Sequence, residues 1–163
     1  MTPARTAATP RGGRIEANNA ARLWCRAERG LDALQAPALL AARLYVSAVF
    51  FNSGLQSLRD WAATVWLYEN EFHVAPLPPH LAAVVGTAGE LLLPPLVAFG
   101  LFGRFGALGL FIVNGVALLS YLYALQAPAI LFHVIWGGLM LLVALWGPGR
   151  WSIDAWRAAR RGR

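Results

Sequence analysis

Four runs of apolar residues, at about 37–57, 80–103, 105–125 and 127–146, are each interrupted by only a few polar side chains. At a rise of ~1.5 Å per residue, roughly 20 apolar residues cross the ~30 Å hydrocarbon of a bilayer, so each run predicts a transmembrane helix. The second run, HLAAVVGTAGELLLPPLVAFGLFGR, holds Glu90 at its middle and Pro94-Pro95 one turn later. An acidic group at helix centre costs about 2.5 to 3.5 kcal/mol on insertion scales, which turns Glu90 toward the protein interior, where it is paired, protonated or hydrated. Pro94 offers no amide hydrogen to the carbonyl of Glu90, and Pro95 offers none to that of Leu91. A kink and a local polar pocket are therefore expected beside the carboxyl.

The other runs carry their own polar positions. The first begins at Pro37, a residue suited to the first helical position. Arg43, Ser47, Phe50, Gly54 and Ser57 share one face, while Tyr45, Ala48, Asn52 and Gln56 share the opposite one. Arg43 lies only about 9 Å inside its span by the helical rise. Two placements are open for it, snorkelling to the headgroups or turning inward to neutralise Glu90. The third run carries Asn114 among Gly106, Gly109 and Gly115, small residues that let helices approach closely. The fourth holds His133, with Gly137 one turn on and Met140 a heptad on. Counted from the ends that face one side of the membrane, the rise puts Glu90 roughly 18 Å deep, Asn114 about 14 Å, His133 about 20 Å and Asn52 about 22 Å. One polar residue from each helix thus falls in a layer near the midplane. Either the layer is interhelical hydrogen bonding, worth about 0.6 kcal/mol per bond, or Glu90 and His133 exchange a proton with a bound hydrophobic molecule such as a quinone.

Outside the runs the chain is polar. Residues 1–36 form a basic leader whose Ala/Arg/Thr/Pro/Gly-rich beginning predicts disorder, and no apolar core of a cleavable signal follows it. From Arg22 to Leu34, Leu23, Ala27, Leu31 and Leu34 recur at helical spacing among arginines. That fits either a short helix on the headgroup surface or a leader that extends the first span. In the connector 58–79, Trp61, Val65 and Tyr68 recur at helical spacing, as an amphipathic interfacial segment does, and Pro76, Pro78 and Pro79 end it. Glu69, Glu71, His73 and His80 are donor types that suit zinc or copper, but their spacing matches no ligand motif, and a solvated acidic face is the preferred reading. After Gly147-Pro148-Gly149, the basic tail 150–163 sets Trp151, Asp154 and Trp156 among five arginines, a stop followed by an interfacial helix. The predicted fold is an all-α transmembrane four-helix bundle with short interfacial helices.

Composition agrees with this pattern. A hydrophobic fraction of 58% against 13% charged residues, with mean hydropathy +0.50, departs from a soluble domain in the direction of a membrane protein. The net charge of +6 raises the question of nucleic acid, but the arginines lie in terminal tails that flank apolar runs. The lipid bilayer is the expected partner and no nucleic acid is. Four spans put both termini on one side, which collects twelve arginines against Arg59 alone on the other. The positive-inside rule then places both termini in the cytoplasm and the 58–79 connector outside. Cys25 is the single cysteine, which excludes dithiol chemistry within the chain, and no glycine-rich nucleotide loop is present. His133 is the one histidine well within a span, so a haem with two axial histidines is unsupported. Any electron carrier is a diffusible quinone or belongs to a partner.

Several short motifs follow one another in order. Arg43 is followed by Phe50, Phe51 and Gly54, Trp61-Ala62-Ala63-Thr64 leads into Phe72-His73-Val74, and Glu90 precedes Leu101-Phe102-Gly103-Arg104. The chain closes on Gly147-Pro148-Gly149-Arg150-Trp151-Ser152-Ile153-Asp154. Over about Leu39 to Asp154 this series resembles the DoxX family of small bacterial membrane proteins. The resemblance implies an inner-membrane location, family-like positions at Arg43, Glu90 and Arg104, and no transferable catalytic set. For function it implies a membrane subunit of a quinone-linked redox or stress-response complex with a membrane or periplasmic redox partner. Two other classes stay open: a non-enzymatic anchor that recruits a partner, and a small proton-coupled transporter. The transporter ranks last, since four spans without an inverted repeat would need a homo-oligomer.

Overall fold

The structure, a computed structural model, describes residues 12–72, 74 and 76–162. Among these it is helical without strands: α1 Gly12–Arg59, α2 Trp61–Asn70, α3 Pro79–Phe99, α4 Gly103–Ser120, α5 Ala127–Trp146 and α6 Ile153–Arg161. Four stretches, Trp24–Arg59, Pro79–Phe99, Gly103–Ser120 and Ala127–Trp146, are long and apolar enough to cross a membrane. The chain divides into two compact units, Met1–Gln35 and Ala36–Arg163.

In the first unit the disorder expected at the start falls on residues 1–11, outside the described residues. From Gly12 on the chain is helical, a longer helix than the Arg22–Leu34 segment. Side chains one turn apart brace it, Trp24 Nε1 donating to Glu28 at 2.7 Å and Arg29 Nε to the carbonyl of Cys25 at 3.1 Å.

The second unit is the bundle. Pro37, expected at the first helical position, lies inside α1, where it removes one backbone donor from an otherwise helical ladder. Helix α4 packs between α3 and α5, and α2 lies on α3. Phe50 of α1 stands edge-on to Trp136 of α5 with ring centroids 5.7 Å apart. The core joins Leu39, Val46 and Phe50 of α1, Val97 of α3, Ala107 and Leu110 of α4, and Met140 and Val143 of α5. Leu92, Phe99, Phe105, Leu119 and Leu145 point outward. Such a large exposed apolar surface is untenable in water and ordinary against acyl chains.

One end of the bundle is locked. The predicted span 80–103 stops at Phe99 because Gly100 takes a left-handed conformation (φ 62°) and its amide returns to Val97 at 3.1 Å. A Cβ on Gly100 would meet Ser152 at 2.5 Å, so only glycine fits there. The α3–α4 turn then rests on the segment after α5. The carboxylate of Asp154 accepts from the amides of Phe102 (3.2 Å) and Gly103 (2.8 Å), capping α4, and the amide of Asp154 donates to the carbonyl of Gly100 at 3.1 Å. Ser152 caps α6 by accepting from Ala155 at 3.1 Å. Arg43 reaches this junction with 1% of its surface exposed. Its guanidinium donates to the carbonyls of Ala98 (3.0 Å), Trp151 (2.8 Å) and Pro148.

Arg43 therefore neither snorkels nor meets Glu90. The carbonyl of Ala98 lies in the last turn of α3, at the negative end of its dipole, and together with the carbonyls of Pro148 and Trp151 it stabilises a buried cation without a carboxylate in contact. At the other end, the predicted run 105–125 leaves the helix after Ser120. Its final turn becomes a connector in which Tyr123 donates to the carbonyl of Glu71 at 2.7 Å.

Replacing Arg43 by alanine should lower stability by about 3 to 5 kcal/mol, the usual cost of removing one side of a buried charged interaction. Arg43→Lys should fall between, because one ammonium lacks the planar fork that reaches three carbonyls from two segments. Denaturation in mixed micelles followed by far-ultraviolet circular dichroism measures both.

Candidate functional site

The half of α3 away from the lock places Ala82, Gly86 and Glu90 on one face at successive turns. Opposite them, α4 presents Ile112, Val113, Val116, Ala117 and Ser120, and Tyr68 of α2 with Val74 and Leu77 closes the end. Together with Val85 these residues line a chamber of about 170 Å³. Its walls are mainly aliphatic, and its polar side chains are Tyr68, Glu90 and Ser120.

Glu90 is half-buried and accepts one hydrogen bond, from Ser53 Oγ of α1 at 3.1 Å. The next residue on α1, Gly54, allows this approach. A Cβ there would stand 2.8 Å from Leu91 Cγ and 3.0 Å from Glu90 Cβ. Tyr68 is held by stacking on Phe72, centroids 4.8 Å apart, and Phe72 lies against Tyr121 at 5.0 Å. Burial, and then the charge of Glu90, push the Tyr68 phenol up to about 12. It therefore stays a neutral hydrogen-bond donor at any pH below that value.

The other sequence-derived positions are distributed as follows. Asn114 is buried in α4 and forms a clasp to α5. Its Nδ2 donates to the carbonyl of His133 at 3.0 Å, and His133 Nδ1 lies 2.8 Å from Asn114 Oδ1. Because an amide oxygen only accepts, the Nδ1 of His133 carries the hydrogen in this pairing. The ring of His133 also meets Trp136 edge-on at 5.2 Å. Asn52 is exposed and bonds to its own helix, Nδ2 to the carbonyl of Ala48 at 2.8 Å. Arg43 sits at the lock, and exposed Arg104 lies beside Gly147. The midplane layer thus separates into a Glu90–Ser53 pair, an Asn114–His133 pair and a solitary Asn52.

His73 lies outside the described residues. Glu71 receives the Tyr123 hydroxyl at its carboxylate (3.1 Å) as well as its carbonyl, Glu69 is exposed, and His80 packs edge-on to Trp61 at 6.1 Å. Among the described residues no three His, Cys, Asp or Glu side chains gather to hold a metal.

Ser53 and Tyr68 are the site residues that the sequence reading did not single out. The signal for Tyr68 was Gly86, a missing side chain one turn before a membrane carboxyl. Such a slot calls for a large side chain from another element. Residues 38–123 match the DoxX family model, a range that holds Arg43, Glu90 and Arg104 and ends before α5. No curated protein and no solved structure matches the chain.

The Asn114–His133 clasp should behave as structure. A double-mutant cycle of Asn114→Ala and His133→Ala should give a coupling of about 1 kcal/mol, within the range of interhelical hydrogen bonds in membrane bundles. Unfolding of the four proteins in mixed micelles measures it.

Proposed function

The chain belongs to the DoxX family of small membrane proteins, and from that premise we propose that it is a membrane subunit of a quinone-linked redox or stress-response complex. In this reading the Glu90 chamber holds the ring of a lipid-soluble quinone or quinol. The observation that carries it is an apolar chamber of about 170 Å³ with a carboxyl and a phenol in its wall. An apolar protein cavity of about 150 Å³ accepts a benzene ring, so the size suits one six-membered ring. Val85, Ile112 and Val116 line the chamber and are also exposed on the outside of the spans, which gives a bilayer-dissolved ligand a lateral entrance.

The chain's own contribution is binding and proton handling. As a carboxylate, Glu90 accepts from a quinol hydroxyl and takes its proton; as the acid, it donates to a quinone carbonyl. Tyr68 supplies a second donor. Electrons released by the quinol pass to a redox protein that associates with this subunit, since Cys25 is a lone thiol and His133 is engaged by Asn114. The proposal also sets the protein in the bacterial inner membrane with both termini cytoplasmic. In the bundle, Arg104 and the arginines of α6 follow the ends of spans that finish at the lock, as the positive-inside rule requires of a cytoplasmic face.

A photoreactive short-chain benzoquinone should label peptides of α3 and α4 in nanodisc-embedded protein. Glu90→Gln should weaken its binding by about 10- to 100-fold, the equivalent of one charge-assisted hydrogen bond. Equal binding by both proteins, or labelling confined to other helices, would overturn the reading.

The orientation has a separate check in Cys25, which is exposed. A membrane-impermeant maleimide should modify it only after the inner membrane is opened. Modification in intact spheroplasts would reverse the topology.

A further inference from the structure

The geometry points to a proton port: Glu90 exchanges its proton with water on the α2 side of the bundle through a second cavity, and the Tyr68 hydroxyl is the gate between that cavity and the chamber. This deepens the quinone reading, because a ring that leaves protons at Glu90 needs a route for them to water.

The second cavity measures about 260 Å³ and is lined by Tyr68, Glu69, Phe72, Val74, Leu77, Pro79 and Ala82. Tyr68, Val74, Leu77 and Ala82 line the chamber as well, so the two spaces share a wall. They differ in character. The second has the exposed carboxylate of Glu69 and room for several waters, whereas the chamber is largely aliphatic.

Tyr68 stands at the division. Along α3, Ala82 borders both spaces and Glu90 lies two turns further, about 12 Å by the helical rise. Gly86 is midway, and the Tyr68 hydroxyl packs against it so closely that a Cβ there would clash. Among the described residues the hydroxyl has no hydrogen-bond partner, so it is free to accept from water on one side and donate on the other. The elements around Glu90 offer Ser53 from α1, Tyr68 from α2 and Ser120 from α4, with no cation among the chamber's lining residues. The opposite direction is closed by Val97, Ala107 and Leu110, each with no exposed surface, and by the lock beyond them.

Transfer needs no charged tyrosine. A water in the chamber relays between the two groups: as the Tyr68 O–H bond breaks toward that water, the water passes a proton to the Glu90 carboxylate, and a new phenol O–H forms from a hydronium-borne proton in the second cavity. One proton moves from water to Glu90, and the phenol is restored.

The test uses the full chain in nanodiscs without quinone, at a pH acidic enough to protonate the carboxyl. Infrared spectroscopy follows hydrogen–deuterium exchange of the Glu90 carboxyl, its band assigned by its loss in Glu90→Gln. Tyr68→Phe keeps the stack on Phe72 and removes the hydroxyl. It should slow exchange about tenfold, the effect of a barrier raised by ~1.4 kcal/mol, roughly one hydrogen bond. Leu77→Trp, which fills the shared wall, should slow it as well. Wild-type rates in Tyr68→Phe, with unfolding unchanged, would overturn the port. Since no quinone is present, this result is independent of whether one binds.

Discussion

A guanidinium with almost no exposed surface holds the bundle together at one end. Moving a charge from water into hydrocarbon is costly unless its hydrogen-bonding capacity is met, and Arg43 meets most of it with the carbonyls of Ala98 of α3, Pro148 and Trp151, while its buried Nε has no partner among the described residues. Those carbonyls must converge on one point, and the backbone is shaped to bring them there. Among the described residues, those with positive φ, Gly100, Phe102, Gly147 and Gly149, all lie in the two segments that surround the guanidinium. Asp154 adds a negative charge at the same junction while it caps α4, so the buried cation is balanced within the lock without drawing on Glu90.

Fixing this end leaves Glu90 uncommitted. Had Arg43 turned inward to the carboxyl, the half-buried acid of α3 would be a permanent ion pair and the chamber beside it would lose its acceptor. With Arg43 spent elsewhere, the polar partner of Glu90 is a serine hydroxyl, which satisfies part of a carboxyl that has lone pairs to spare. The cavities accordingly sit on the side away from the lock, where α2 and the segment after it cover the ends of α3 and α4.

Much of this was legible in the residues. Span number and approximate limits follow from apolar length alone, because a bilayer imposes one thickness on every crossing helix. The ends were less so: Gly100 cuts α3 short, and the turn after Ser120 unwinds where Tyr123 finds Glu71. The polar layer was the least legible part. Rise per residue gives depth but not azimuth, so Glu90, Asn114, His133 and Asn52 could be put at one level without knowing which faced which. Tyr68 was legible as one face of an amphipathic connector. That this face turns into the bundle depends on the path of the chain after Asn70, which no periodicity encodes. The closing Gly-Pro-Gly-Arg-Trp-Ser-Ile-Asp stretch was recognisable as a pattern, and its physical basis is the lock around Arg43.

The two intramembrane polar pairs are unlike in a way that separates structure from chemistry. Asn114 and His133 meet through two contacts that use an amide donor, an amide acceptor, a carbonyl and a ring nitrogen, and Asn114 is buried from any ligand. Opening that pair to serve a substrate would strand polar groups in hydrocarbon, at a cost of about 1 to 3 kcal/mol for each. Glu90 and Tyr68 are the reverse case, among the described residues a carboxyl with one serine hydrogen bond and a phenol with none, both lining the chamber. An incoming ring or water adds hydrogen bonds there and breaks none. Binding energy in this bundle is therefore available beside α2, while the α4–α5 clasp resists change and keeps the chamber's far wall in place.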